Sequence, residues 1–210
     1  MTRAPPNARP REATQTDEPL MRGRLVIISG PSGAGKSSVL KRVLERSPLP
    51  LKLSISATTR PPRPGEIDGV HYHFLSDGLF QRYREEGRFI ECVEVFGKDV
   101  WYGTPRDEVV PELESGKLVV LEIDVEGARR VRGEFPDAIT IFIHPGADEV
   151  LEQRLRGRAT ESEEAIATRL ARAKHELDAA GEYRHVVVND DLEEAVKETC
   201  QILEQYQARN

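Results

Sequence analysis

Eight consecutive residues, Gly30-Pro31-Ser32-Gly33-Ala34-Gly35-Lys36-Ser37, satisfy the pattern G-x-x-x-x-G-K-[ST], and Ser38 follows in the same turn. Three glycines in such a loop permit backbone geometries that turn successive N–H groups toward an anion. A helix beginning near Lys36 adds the positive end of its dipole. Lys36 can then reach the β- and γ-phosphates of a nucleoside triphosphate, and the Ser37 hydroxyl can ligate Mg²⁺. A second cationic set, Arg60 and Arg63, stands among Pro61, Pro62 and Pro64. Two planar guanidiniums in a proline-stiffened loop suit bidentate capture of a doubly charged phosphate. A third set is Arg154, Arg158 and Arg169, of which the first two are four residues apart and share a face if the segment is helical. Asp124 ends an apolar run, the position at which open α/β sheets place functional groups, and there it can hold Mg²⁺ through water. The chemistry these residues suit is the handling of phosphates.

The phosphate loop needs an apolar strand before it and a helix after it, and the sequence supplies both. Leu25 to Ser29 reads as a buried strand, and Lys36 to about Ser47 as a helix. Further strands are predicted at Leu53–Ile55, Phe89–Phe96, Leu118–Ile123, Ile139–Ile143 and Val186–Val188, with a proline- and arginine-dense loop from Thr58 to Gly69. Helical patterns are predicted near Asp77–Glu86, Pro105–Glu114, Ala147–Arg156, Ser162–Ala180 and Asp191–Gln207. Apolar strands buried on both faces and joined by helices imply a mostly parallel α/β sheet flanked by helices, of the P-loop NTPase type. The more alternating middle third reads as a smaller insertion.

Composition narrows the function classes. With 30 Lys and Arg against 36 Asp and Glu, the 210-residue chain carries a formal net charge of -6, which argues against non-specific nucleic-acid or membrane-surface binding. Its apolar runs are strand-sized, far short of the roughly 20 residues of a membrane-spanning helix. Two cysteines, Cys92 and Cys200, are too few for a disulfide framework and suit a reducing, cytoplasmic setting. Residues 1–20 hold four prolines and little that can be buried, so they read as a disordered tail, with Met21 just ahead of one domain covering 21–210.

Beyond the phosphate loop, several separated segments closely resemble the guanylate kinase family. They are Ser54 to Glu66, Gly69 to Phe74, Phe89-Ile90-Glu91, Tyr102-Gly103-Thr104 and Ile123 to Gly127, then Arg154 to Glu161, Arg169-Leu170 and Val188-Asn189-Asp190. The resemblance runs in order from about Arg24 to the C-terminus. It implies Mg²⁺-dependent transfer of the ATP γ-phosphoryl group to GMP, and also to dGMP, on a core with a GMP-binding insertion (about 54–105) and a mobile lid (about 145–170). It also implies a GMP site of Ser56, Arg60, Arg63, Tyr72, Glu91, Tyr102, Gly103, Thr104 and Asp124, and lid arginines at Arg154, Arg158 and Arg169. Residues 30–38 with Asn189 and Asp190 would hold ATP. Glu91 would accept from guanine N1–H and the 2-amino group, a donor pair that adenine lacks. Asp124 stays open between Mg²⁺ and GMP, and Glu122 stands where many relatives carry aspartate.

Two other classes compete. Guanylate-kinase-like binding modules have lost catalysis and typically carry a degraded phosphate loop, whereas this loop keeps Lys36. A small-molecule kinase with a different phosphorylated acceptor would not need Arg60, Arg63, Tyr72 and Glu91 together.

Overall fold

The computed structural model describes residues 23–95, 99–156 and 163–207. The expected tail at 1–20, the start at Met21, Arg158 and part of the expected lid lie outside those residues.

Five parallel strands form the main sheet: β1 (Arg24–Ser29), β2 (Leu51–Leu53), β7 (Leu118–Glu122), β8 (Ile139–His144) and β9 (His185–Val188), in the order β2-β7-β1-β8-β9. Alternation along β1 splits its side chains between two cores. Val26 and Ile28 pack with helices α1 (Lys36–Arg46) and α7 (Leu192–Gln207), while Leu25 and Ile27 pack with α3 (Arg106–Glu114) and α4 (Val125–Glu134). A strand buried on both faces needs an unbroken apolar run, which is why Leu25 to Ile28 reads as it does.

A smaller mixed sheet is inserted between β2 and β7, in the order β4-β3-β6-β5. It comprises β3 (Ala57–Thr58), β4 (His73–Phe74), β5 (Phe89–Val95) and β6 (Val100–Pro105), and it carries α2 (Asp77–Glu85) on a core of Ala57, Phe80 and Phe89. After β8 come α5 (Asp148–Arg156), α6 (Glu163–Asp178) and a 3₁₀ turn at Ala179–Glu182.

Three expectations need correction. The strand expected at Leu53–Ile55 lies at Leu51–Leu53, because pairing with Leu118 to Val120 of β7 sets its extent. The strand at Val186–Val188 is not buried on both faces: as an edge strand it leaves Val186 and Val188 exposed and turns Val187 inward. Helix α4 directly follows the Asp124 motif, where none was predicted, and supplies the crossover that parallel β7 and β8 require.

Candidate active site

The glycine-rich loop runs from the end of β1 into α1, as its sequence requires. Gly30, Gly33 and Gly35 have φ of 143°, 91° and 86°, a region that favours glycine. Gly30 is further constrained because a Cβ there would come 2.3 Å from the Ile143 carbonyl oxygen of β8. Ala34 N–H donates to the Pro31 carbonyl at 3.1 Å, closing the turn, and Ser38 N–H donates to the Gly35 carbonyl at 3.0 Å. Lys36 Nζ folds across the loop to the carbonyls of Gly30 (2.7 Å) and Pro31 (3.1 Å), so its ammonium lies over the cradle with Ser32 in the same turn. Ser37 Oγ donates to Glu122 Oε1 at 2.6 Å. Adjacency of β1 and β7 brings these two strand ends together.

Asp124 does something different. Its Oδ1 accepts from Gly127 N–H at 2.8 Å and caps α4, while Oδ2 pairs with Arg172 of α6 at 3.2 Å. Of the two acids at the end of β7, Glu122 is therefore the one beside the phosphate loop. Hard oxygen donors from a hydroxyl and a carboxylate suit Mg²⁺, which is commonly held by one or two carboxylates with substrate phosphates. Among the described residues no cluster of three or more His, Cys, Asp or Glu forms a self-sufficient metal cage.

The smaller sheet presents the second anion-directed set. Arg60 is held on every side. Nε donates to Tyr102 Oη at 3.0 Å, and the two terminal nitrogens form a fork on Glu66 at 2.6 and 2.7 Å. Its guanidinium also lies over the Tyr72 ring, 5.0 Å from the centroid. The hydrogen bond from Arg60 and the one from Arg63 N–H hold the Glu66 carboxyl down at about 2. Tyr72 packs edge-on against Tyr102. Burial raises its phenol above the usual range, with smaller contributions from Tyr102 and Glu122. The Arg63 side chain is exposed.

Glu91, on β5, is 6% exposed and sits opposite Thr104 of β6. Thr104 Oγ1 donates to Oε1 at 2.7 Å, and Oε2 is buried without a partner. Burial pushes this carboxyl up to about 7; the Thr104 hydrogen bond opposes the shift and nearby Asp124 adds to it. Gly103 has a packing role, since a Cβ there would press on Phe89 and Cys92 at 3.0 and 3.1 Å. Ser56 lends its carbonyl to His73 N–H at 2.9 Å.

Asn189 links the remaining parts. Its Nδ2 donates to the Ala34 carbonyl at 2.7 Å, and its backbone carbonyl accepts from Arg154 Nη2 at 3.0 Å. Arg154 Nη1 is buried without a partner. Asp190 lies against Gly146 of the β8–α5 loop, and Arg169 is half-buried on α6. The structure thus gathers residues 30–38, Glu122, Asn189 and Arg154 at one end of the main sheet. Arg60, Tyr72, Tyr102, Glu91 and Thr104 are gathered on the smaller one. Sequence reasoning gave no role to Glu66, which reaches Arg60 only through a turn, and missed Arg172, whose partner Asp124 is distant along the chain.

A guanylate kinase family model matches residues 22–206. The chain is 50% identical over 191 residues to the guanylate kinase of Rhodopirellula baltica, covering 90% of this chain and 91% of that one. It is also 50% identical over 185 residues to the guanylate kinase of a Nostoc species, covering 88% and 91%. The crystal structure of guanylate kinase from Anaplasma phagocytophilum superposes with a TM-score of 0.73 at 31% identity, covering 89% of this chain and 87% of that one. A match of this extent in sequence, together with the agreement in fold, shows that the chain belongs to the guanylate kinase family of ATP:GMP phosphotransferases.

Proposed function

We propose that the protein transfers the γ-phosphoryl group of ATP to GMP, and also to dGMP, giving the nucleoside diphosphate and ADP by direct in-line displacement. The observation that carries the choice of acceptor is Glu91: a buried carboxylate with one oxygen held by Thr104 and the other unpartnered suits the paired N1–H and 2-amino donors of guanine. Arg60, Arg63, Tyr72 and Tyr102 hold the acceptor phosphate, which is already an anionic nucleophile and needs no general base. Lys36 and the loop N–H groups hold the donor phosphates, and Arg154, Arg158 and Arg169 stabilise charge on the transferring group. Asn189 and Asp190 flank the adenine side. Mg²⁺ would be held by ATP, Ser37 and Glu122, and when bound it neutralises charge on the β- and γ-phosphates. Positioning and electrostatics then supply the catalysis.

Glu91→Gln tests the acceptor half. It keeps size but turns one acceptor into a donor, so GMP efficiency falls by roughly two orders of magnitude, about 3 kcal/mol, with little change in the ATP KM. Steady-state kinetics with GMP, IMP and AMP measure it. IMP lacks the 2-amino group, so the variant discriminates less between IMP and GMP; full retention of GMP preference would assign guanine reading to other residues.

A further inference from the structure

Helix α4 contains two glycines, and glycine is the poorest helix former apart from proline. Their surroundings differ. A Cβ at Gly133 would meet nothing within 4 Å, whereas one at Gly127 would stand 3.2 Å from Glu91 Oε2 and 3.3 Å from Asp124 Oδ1. Neither carboxylate is free to swing clear as a whole. Glu91 is buried and tied to Thr104, and Asp124 Oδ1 accepts from the N–H of Gly127 itself. Nor is the helix free to retreat. Arg130, three residues on and on the same face, donates to the Cys92 carbonyl of β5, while Val125, Ala128 and Val131 are buried in the core beneath. The unpartnered oxygen of Glu91 therefore lies where α4 has no side chain.

We propose that Gly127 is a specificity-determining residue of the acceptor site: its missing side chain lets Glu91 keep both carboxylate oxygens aligned for two donors on one purine edge. This rests on Glu91 as the guanine-reading group. A methyl at Gly127 would displace Oε2 by a few tenths of an ångström while Thr104 retains Oε1, twisting the carboxylate away from planar two-point pairing. The loss falls on an acceptor that uses both bonds, and falls less on IMP, which offers N1–H alone.

The test compares Gly127→Ala, Gly133→Ala and Glu91→Gln in the full chain by steady-state kinetics and thermal melts. Gly127→Ala is expected to raise the GMP KM roughly tenfold and narrow the preference for GMP over IMP. Its ATP KM should stay within about twofold of wild type, and its Tm should not fall by more than a few degrees. Gly133→Ala should leave both KM values unchanged. An unchanged GMP KM in Gly127→Ala would overturn the proposal. So would a rise in both KM values with a large fall in Tm, or failure to fold, since glycine would then serve packing alone. The two readings fail separately. If Glu91→Gln retains GMP preference, the guanine-reading assignment is wrong; if it loses preference while Gly127→Ala keeps it, only the role of Gly127 is wrong.

Discussion

A carboxyl held at about 7 by burial makes Glu91 a group that titrates near neutral pH. Its folded value is raised above that of an unfolded glutamate, so the stability linked to its neutral form is present at low pH and is lost as pH rises through about 7. Guanine recognition needs the ionised form. GMP binding should therefore tighten between about pH 6 and 8, with GMP offsetting the stability lost by the free protein over the same interval. The acceptor phosphate also titrates near about 6, but equally for wild type and Glu91→Gln, so the difference between their pH profiles of GMP KM isolates the carboxyl. Identical profiles would contradict the assignment. On the donor side, Lys36→Ala should lower kcat/KM by at least two orders of magnitude, about 3 kcal/mol, in a chain whose circular dichroism is unchanged. The phosphate loop was fully legible from its own sequence, because the motif and its chemistry are local. Glu91 was legible only through family resemblance: taken alone it reads as a surface acid, and its burial depends on Thr104 and α4, elements remote in sequence.

Helix α4 shows where element-scale reading failed. Its Gly127 and Gly133 weaken the helical signal, yet Val125, Ala128 and Val131 supply a buried stripe and Asp124 supplies the cap. The topology alone required a crossover between the two apolar strands that became β7 and β8. Strand β2 was misplaced by two residues because its bounds come from pairing with β7, and β9 was misjudged because edge position does not show in three consecutive valines. The Asp124 cap makes a prediction at this scale. Asn caps as well as Asp, so Asp124→Asn should keep stability whereas Asp124→Ala loses about 1 kcal/mol, read from urea unfolding midpoints. Equal loss in both would mean that the charge pairing with Arg172, and not the cap, is what matters.

Across the whole molecule, the main sheet gathers groups suited to the donor and the smaller sheet gathers groups suited to the acceptor. Two nucleotides bring several negative charges together, and transfer to water must be prevented. The Arg60 fork is occupied by Glu66, and Arg154 Nη1 is buried without a partner, so both have interactions to exchange or gain when phosphates arrive. Binding of ATP and GMP together should draw the segment Thr58–Glu94 toward Arg154, seen as a smaller radius of gyration and slower amide exchange in that segment. Unchanged scattering and exchange would count against closure. No helix among the described residues is long and apolar enough to cross a membrane. Phosphorylation of GMP by this chain is measured in a coupled assay of wild-type protein with ATP, Mg²⁺ and a panel of acceptors: GMP, dGMP, IMP, AMP, CMP and UMP. ADP should form in equal amount to GDP with GMP, and to dGDP with dGMP, weakly with IMP, and at background with the rest. ADP formation independent of acceptor, or preference for a nucleotide other than the guanine pair, would contradict it.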